Sequence, residues 1–217
     1  MNDLHTSLKK ILQQGAEQLA VQLSSRQIDQ LLDYLQELNK WNQAYNLSAI
    51  RSIEEMVSRH LLDSLAVVPH LISDKNKNVI DVGTGGGLPG IPLAIMFPDW
   101  RFTLLDSNGK KTRFLFHVKN LLGLDNVKVE NHRVEQYRPQ EKYQIVISRA
   151  FASLQDMTDG CSHLLADDGV FMAMKGIYPE SELLPLAGKV NLQSSYQLQV
   201  PNTDGERHLL ILKPVTY

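Results

Sequence analysis

Apolar residues recur at helical spacing in the first third of the chain and in short β-branched runs after it. Leu4, Leu8, Ile11, Leu12 and Leu19 fall on one helical face. After Ser24-Ser25, a good N-cap, Ile28, Leu31, Leu32, Leu35, Leu38 and Trp41 mark a second amphipathic helix. Ser52 with Glu55 reads as a capping box before a third helix, which carries Met56, Val57, Leu61 and Leu65 and closes near Pro69. A polar run then leads to residue 79, where the period changes. Short runs at 79–82, 102–105, 127–129, 144–147 and 170–174 read as buried strands, and helical patterns at 110–122 and 154–165 fall among them. Gly123 is a C-cap signal for the first of these helices. Alternation of this kind predicts parallel strands joined by crossover helices. Residues 196–200 and 208–212, separated by Pro-Asn-Thr-Asp-Gly-Glu, predict a closing antiparallel pair. The expectation is an α/β fold with a mostly parallel seven-stranded sheet, helices on both faces and a helical N-terminal extension. Its parts are a helical region 1–73 and an α/β domain 74–217.

The chain has 217 residues, 43% apolar and 21% charged, which is ordinary globular usage. No apolar run approaches the roughly 18 residues of a membrane-crossing helix, and residues 1–10 carry no signal-peptide core. Cys161 is the single cysteine, so neither a disulfide nor a thiolate metal site is expected, and the cytoplasm is the expected compartment. The formal charge of −2 is unlike that of a protein that grips free nucleic acid by net charge. A nucleic-acid partner would therefore meet a local basic patch, or be a folded ribonucleoprotein recognised partly by shape.

The candidate chemistry centres on residues 78–97. Val79, Ile80 and Val82 run into Gly83, Gly85, Gly86, Gly87 and Gly90, with Pro89 at the start of the next apolar segment. Strand, glycine-rich turn and helix form a ligand cradle, because a ligand can approach without meeting a Cβ and the helix start offers free N–H groups. Two ligand classes use such a turn. Gly85-Gly86-Gly87-Leu88-Pro89-Gly90 fits the dinucleotide pattern, with Asp106 about 20 residues on as a ribose acid. Asp81 ahead of Gly83-Thr84-Gly85-Gly86-Gly87 instead resembles motif I of class I S-adenosylmethionine (SAM) methyltransferases, where the acid helps hold the methionine end. An acid there would repel a pyrophosphate and suits a cationic ligand. Asp81, Gly83, Asp106, Arg149 and Lys175 all fall at predicted carboxyl ends of strands, where open parallel sheets bind ligands.

A broader resemblance adds to this. Leu38-Asn39-Lys40-Trp41-Asn42, Asn46-Leu47, Arg59-His60-Leu61-Leu62-Asp63-Ser64, Leu88-Pro89-Gly90, Leu105-Asp106-Ser107, Ser148-Arg149-Ala150-Phe151, Lys175-Gly176 and Glu206-Arg207-His208 occur in an order that resembles the bacterial RsmG (GidB) family. The resemblance runs from about Leu35 to the C-terminus. It implies a class I methyltransferase (Rossmann-like) fold and SAM-dependent methylation of guanine N7 at position 527 in the 530 loop of 16S rRNA. The substrate would be the 30S subunit or a late precursor, and the enzyme a monomer without metal. It implies cofactor contacts at Gly83, Leu88, Val134, Glu135 and Arg149. Asp106 joins them by position, since a carboxylate ending the second strand can accept from both ribose hydroxyls.

Guanine N7 has an exposed in-plane lone pair and needs no deprotonation, so such an enzyme needs orientation rather than a base, and no side chain is assigned a covalent or acid–base role. Cys161 falls in a predicted helix and reads as core. The Asn/Asp-Pro-Pro-aromatic motif of amino-group methyltransferases is replaced by Ser148-Arg149-Ala150-Phe151, where Arg149 is the best catalytic candidate because it can donate to guanine O6. Lys175, Arg207 and His208 are candidate RNA contacts, with Arg207 and His208 expected on a different rim. Lys110, Lys111 and Arg113 could also meet RNA, although the two lysines read better as a solvated face, and Trp41 reads as core. A nicotinamide-dependent oxidoreductase is the first alternative, although no Tyr has a Lys four residues on. A ribosome-assembly module without activity is the second. No P-loop pattern occurs.

Overall fold

A computed structural model describes residues 3–71 and 75–215. The helices α1 (Asp3–Gln18) and α2 (Ser25–Tyr45) come first. Ser24 caps α2 through a reciprocal box with Gln27. Ser52 accepts the Glu55 N–H and caps α3 (Ile53–Met56), which runs on through a π-helical stretch Val57–Leu62 into α4 (Asp63–Leu65). The helix expected here is thus one segment with a widened middle. Then follow β1 (Asn78–Val82), α5 (Gly90–Met96), β2 (Arg101–Leu105), α6 (Gly109–Leu122), β3 (Val127–Glu130), β4 (Tyr143–Ser148), α7 (Leu154–Cys161), β5 (Leu165–Lys175), α8 (Glu180–Leu183), β6 (Val190–Gln197) and β7 (His208–Pro214).

The seven strands form one sheet in the order β3-β2-β1-β4-β5-β7-β6. The first five are mutually parallel, and β7 runs antiparallel to both neighbours. The order reverses between β1 and β4, so a crevice opens at their carboxyl ends. Alternate strand residues feed two apolar layers. Val79, Leu104, Ile145 and Ile147 pack with α5 and α6, whereas Ile80, Val82, Val146 and Phe171 pack with α7. Cys161 is buried in the second layer, as its helical position predicts.

The N-terminal helices belong to the first layer. Leu8, Leu12, Leu31, Leu35 and Leu38 share a continuous apolar cluster with Val79, Leu104 and Phe114. The boundary expected between 73 and 74 lies outside the described residues. Leu4 of the predicted first stripe is exposed, and Leu19 lies just past the end of α1. Trp41 is part of this layer and stacks on His117 with ring centroids 5.3 Å apart.

The closing pair differs from expectation. Strand β6 starts at Val190 and ends at Gln197, and residues 198–200 lie beyond it. As an edge strand, exposed at most positions, β6 lacks the apolar alternation that would reveal it. Among the described residues no helix is long and apolar enough to cross a membrane.

Candidate active site

Strand β1 hands over to α5 through a turn of glycines. Gly83 has φ +69°, a conformation that disfavours side chains, and a Cβ there would lie 2.8 Å from Ala150 Cβ. Only hydrogen fits where β1 and β4 converge at the switch point. The Gly83 and Thr84 N–H groups donate to the Leu105 carbonyl at 2.8 and 3.2 Å. Asp106 fastens the next residue: Oδ2 accepts the Gly85 N–H at 2.9 Å and Oδ1 accepts the Asn108 N–H at 2.8 Å. Each carboxylate oxygen still has a second lone pair for a ligand hydroxyl. Lys111 Nζ stands 3.7 Å from Asp106 Oδ2, so Lys111 faces the site rather than a purely solvated surface.

Asp81 has a different place from the one its motif implied. It is fully buried, and its Oδ2 accepts from Thr84 Oγ1 at 2.6 Å and from the Gly90 N–H at 2.9 Å. Its Oδ1 has no hydrogen-bond partner among the described residues. Burial pushes the carboxyl pKa up to about 6, against the opposing hydrogen bonds from Thr84 and Gly90. Asp81 therefore braces the turn and the start of α5 from beneath. The residue is drawn inward because it alternates with Ile80 and Val82 and so shares the α5 face of the sheet.

A cavity of about 300 Å³ opens above the turn. Gly83, Asp106, Val134 and Glu135 all line it, together with Leu105, Lys111, Ala150 and Phe151. Val134 and Glu135 arrive on a single 3₁₀ turn after β3. Apolar Leu105, Val134 and Phe151 offer faces for a flat ring, and the Asp106 and Glu135 carboxylates offer acceptors for hydroxyl or amino groups. This donor set, with the Cβ-free wall at Gly83, fits a nucleoside-bearing cofactor such as SAM.

Two expected cofactor residues stand elsewhere. Leu88 is buried in the apolar layer, and its N–H donates to the Thr84 carbonyl. It shapes the turn without lining the cavity. Arg149 points into a neighbouring cavity of about 420 Å³, lined also by Arg59, His60, Asp63, Lys175, Arg207 and His208. Arg207 and His208 are thus on the same rim as Arg149, contrary to the sequence expectation, because the antiparallel register sets His208 opposite Lys175. Asp63, 5% exposed at its side chain, holds both arginines: Arg149 Nη1 at 2.8 Å and Arg207 Nε at 3.0 Å. Lys175 is paired with Glu182 at 2.9 Å and donates to the Ala152 carbonyl.

His60 is neutral. Burial first, and the Arg149 charge second, lower its pKa to about 4. Its Nδ1 lies 3.0 Å from the Arg59 carbonyl and its Nε2 2.7 Å from Ser48 Oγ. The carbonyl can only accept, so Nδ1 carries the proton and Ser48 donates to Nε2. Sequence reasoning gave no role to Arg59, His60 or Asp63. Their only signal was the Arg59-to-Ser64 motif.

The chain resembles known proteins in sequence and in fold. The family model for rRNA small subunit methyltransferase G matches residues 27–210. The ribosomal RNA small subunit methyltransferase G of Cellvibrio japonicus is 63% identical over 216 residues, 99% of both chains. Among solved structures, ribosomal protein L11 methylase from Lactobacillus delbrueckii subsp. bulgaricus superposes with a TM-score of 0.54 at 16% identity, covering 70% of this chain and 76% of that one. A SAM-dependent methyltransferase from Geobacter sulfurreducens, in complex with S-adenosyl-L-homocysteine, gives 0.54 at 12% identity, over 70% and 90%. These two share the fold, which is that of the class I methyltransferases. The chain belongs to the rRNA small subunit methyltransferase G family.

Proposed function

We propose that this protein transfers the methyl group of SAM to N7 of guanine 527 in the 530 loop of 16S rRNA, acting as a cytoplasmic monomer on the 30S subunit or a late precursor. One observation carries the reading: a single stretch after β4 walls two cavities. Ala150 and Phe151 face the cavity of Gly83, Asp106, Val134 and Glu135, while Arg149 faces the cationic cavity beside it. Donor and acceptor sites are therefore neighbours across one peptide segment.

In this reading Val134 and Glu135 hold the adenine end of SAM, and Asp106 accepts from the ribose hydroxyls. Gly83 leaves room for the remainder. When bound, SAM supplies an electrophilic methyl group on a sulfonium. The chain's task is to bring guanine N7 into line with it, and such orientation can contribute about 7–11 kcal/mol. Arg149 donates to guanine O6, which selects guanine over adenine at that edge. Arg59, Arg149 and Arg207 outnumber Asp63 in charge, so the cavity suits a nucleotide with its phosphate. Neutral His60 has both ring nitrogens engaged, and guanine N7 requires no proton acceptor.

Two measurements test the reading. Calorimetry should give binding of SAM and none of NAD, and binding of NAD alone would restore the oxidoreductase alternative. Mass spectrometry of 16S rRNA from cells lacking the protein should show loss of one N7-methylguanosine. An unchanged methylation pattern would refute it.

A further inference from the structure

Asp63 lies at the junction of the π-helical stretch and α4, 86 residues from Arg149 and 144 from Arg207. Its two carboxylate oxygens are divided between the two guanidinium groups, at 2.8 Å to Arg149 Nη1 and 3.0 Å to Arg207 Nε. The carboxylate is almost fully buried, whereas each arginine is a little over a quarter exposed. The covered part of each fork is fixed and the rest is left facing the cavity. Arg207 is steadied further by a bond from Nη1 to the Glu206 carbonyl. Arg59 and His60 lie within the π-helical stretch and Asp63 directly follows it, and all three line the cavity; widened turns of this kind recur at functional sites.

We propose that Asp63 is a positioning residue for methyl transfer. Its carboxylate orients Arg149 and Arg207 so that their remaining N–H groups meet the target guanosine and its phosphate. This rests on the cationic cavity being the nucleotide site. Asp63 touches neither SAM nor RNA. It acts by holding one arginine from the end of β4 and one from the approach to β7 in a single geometry, which a guanidinium free to rotate would lose.

Asp63→Asn offers one acceptor and turns an amide donor toward the other arginine. The expected result is a loss of at least tenfold in single-turnover methylation of 30S subunits, with SAM affinity by calorimetry within twofold of wild type. The Asp63→Asn/Arg207→Gln double variant should lose no more than threefold beyond the worse single variant, because both act through one geometry. Wild-type turnover in folded Asp63→Asn, or strictly multiplicative losses in the double variant, would overturn the proposal. A parallel loss of SAM affinity would equally overturn it, by making Asp63 a general support of the fold. If Asp63→Asn does not fold, Arg207→Gln with Asp63 intact carries the test: unchanged turnover defeats the proposal, and a tenfold loss at wild-type SAM affinity supports it. Arg59→Ala separates the underlying reading. It should raise the KM for 30S subunits several-fold, and if it and Arg207→Gln both leave KM unchanged, the cavity is not the nucleotide site.

Discussion

The Tyr34 hydroxyl donates to the Gly86 carbonyl oxygen across 2.7 Å. Tyr34 is fully buried on α2, and Gly86 is part of the turn after β1, so an N-terminal helix holds the floor of the candidate cofactor site. Burial raises the Tyr34 pKa, which keeps the hydroxyl a donor. Tyr34→Phe leaves the carbonyl without its partner. We expect a stability loss of about 1–3 kcal/mol in urea denaturation, together with weaker SAM binding. Wild-type values for both would mean that the turn holds itself.

Asp81 makes stability depend on pH. Its folded pKa is raised from 3.8 to about 6, so the folded state holds the proton more tightly than the unfolded chain. Stability from this group is therefore greatest below about pH 4 and falls as pH rises toward 6. The cost above that is roughly 3 kcal/mol, at 1.36 kcal/mol for each pKa unit. Asp81→Asn keeps an acceptor for Thr84 and Gly90 and removes the titration. The stability difference between variant and wild type should shift in favour of the variant across pH 4–6. Parallel stability curves for the two proteins would contradict the assignment.

Asp106→Ala removes two anchors at once, the ligand acceptor and the bond that fixes Gly85. Losing a hydrogen bond to a charged group typically costs about 1.5–3 kcal/mol, so SAM affinity should fall at least tenfold. Gly83→Val should abolish SAM binding in a protein that keeps its circular dichroism, since that position has φ +69° and faces Ala150. SAM binding at wild-type strength in either folded variant would remove that residue from the site.

The pH profile of methyl transfer tests the absence of a base. His60 is held neutral with a pKa near 4, and positioning alone needs no titrating group. The single-turnover rate should be nearly flat between about pH 6 and 9, where a general base would contribute 10²–10⁴-fold. Arg149→Lys should lower the rate and leave the profile flat, because lysine keeps the charge and loses the planar fork. An acid limb in the wild type that disappears on replacing one His, Asp or Glu would demand a base.

The sequence announces those parts of the site that depend on local signals. The β-branched run, the glycines and Asp106 are close in the chain, and α2 and α6 carry their own caps. What it hides is set by distant packing. Asp63 meets Arg149 and Arg207 only after the sheet has assembled. Asp81 looks like a ligand group because its neighbours do, yet strand alternation turns it into the core. Leu88, in the turn that follows, is an apolar side chain buried in the layer beneath it. Strand β6 is hidden because an edge strand needs no apolar face, and the N-terminal helices look separable because their stripe does not say what covers it.

The most direct test is to incubate purified protein with labelled SAM and 30S subunits from cells lacking it, then map the product by mass spectrometry and by cleavage specific to N7-methylguanosine. The account predicts one methyl group per 16S rRNA, on N7 of guanine 527. No transfer to 30S subunits or 16S rRNA, or a methyl group on another atom or base, would contradict it.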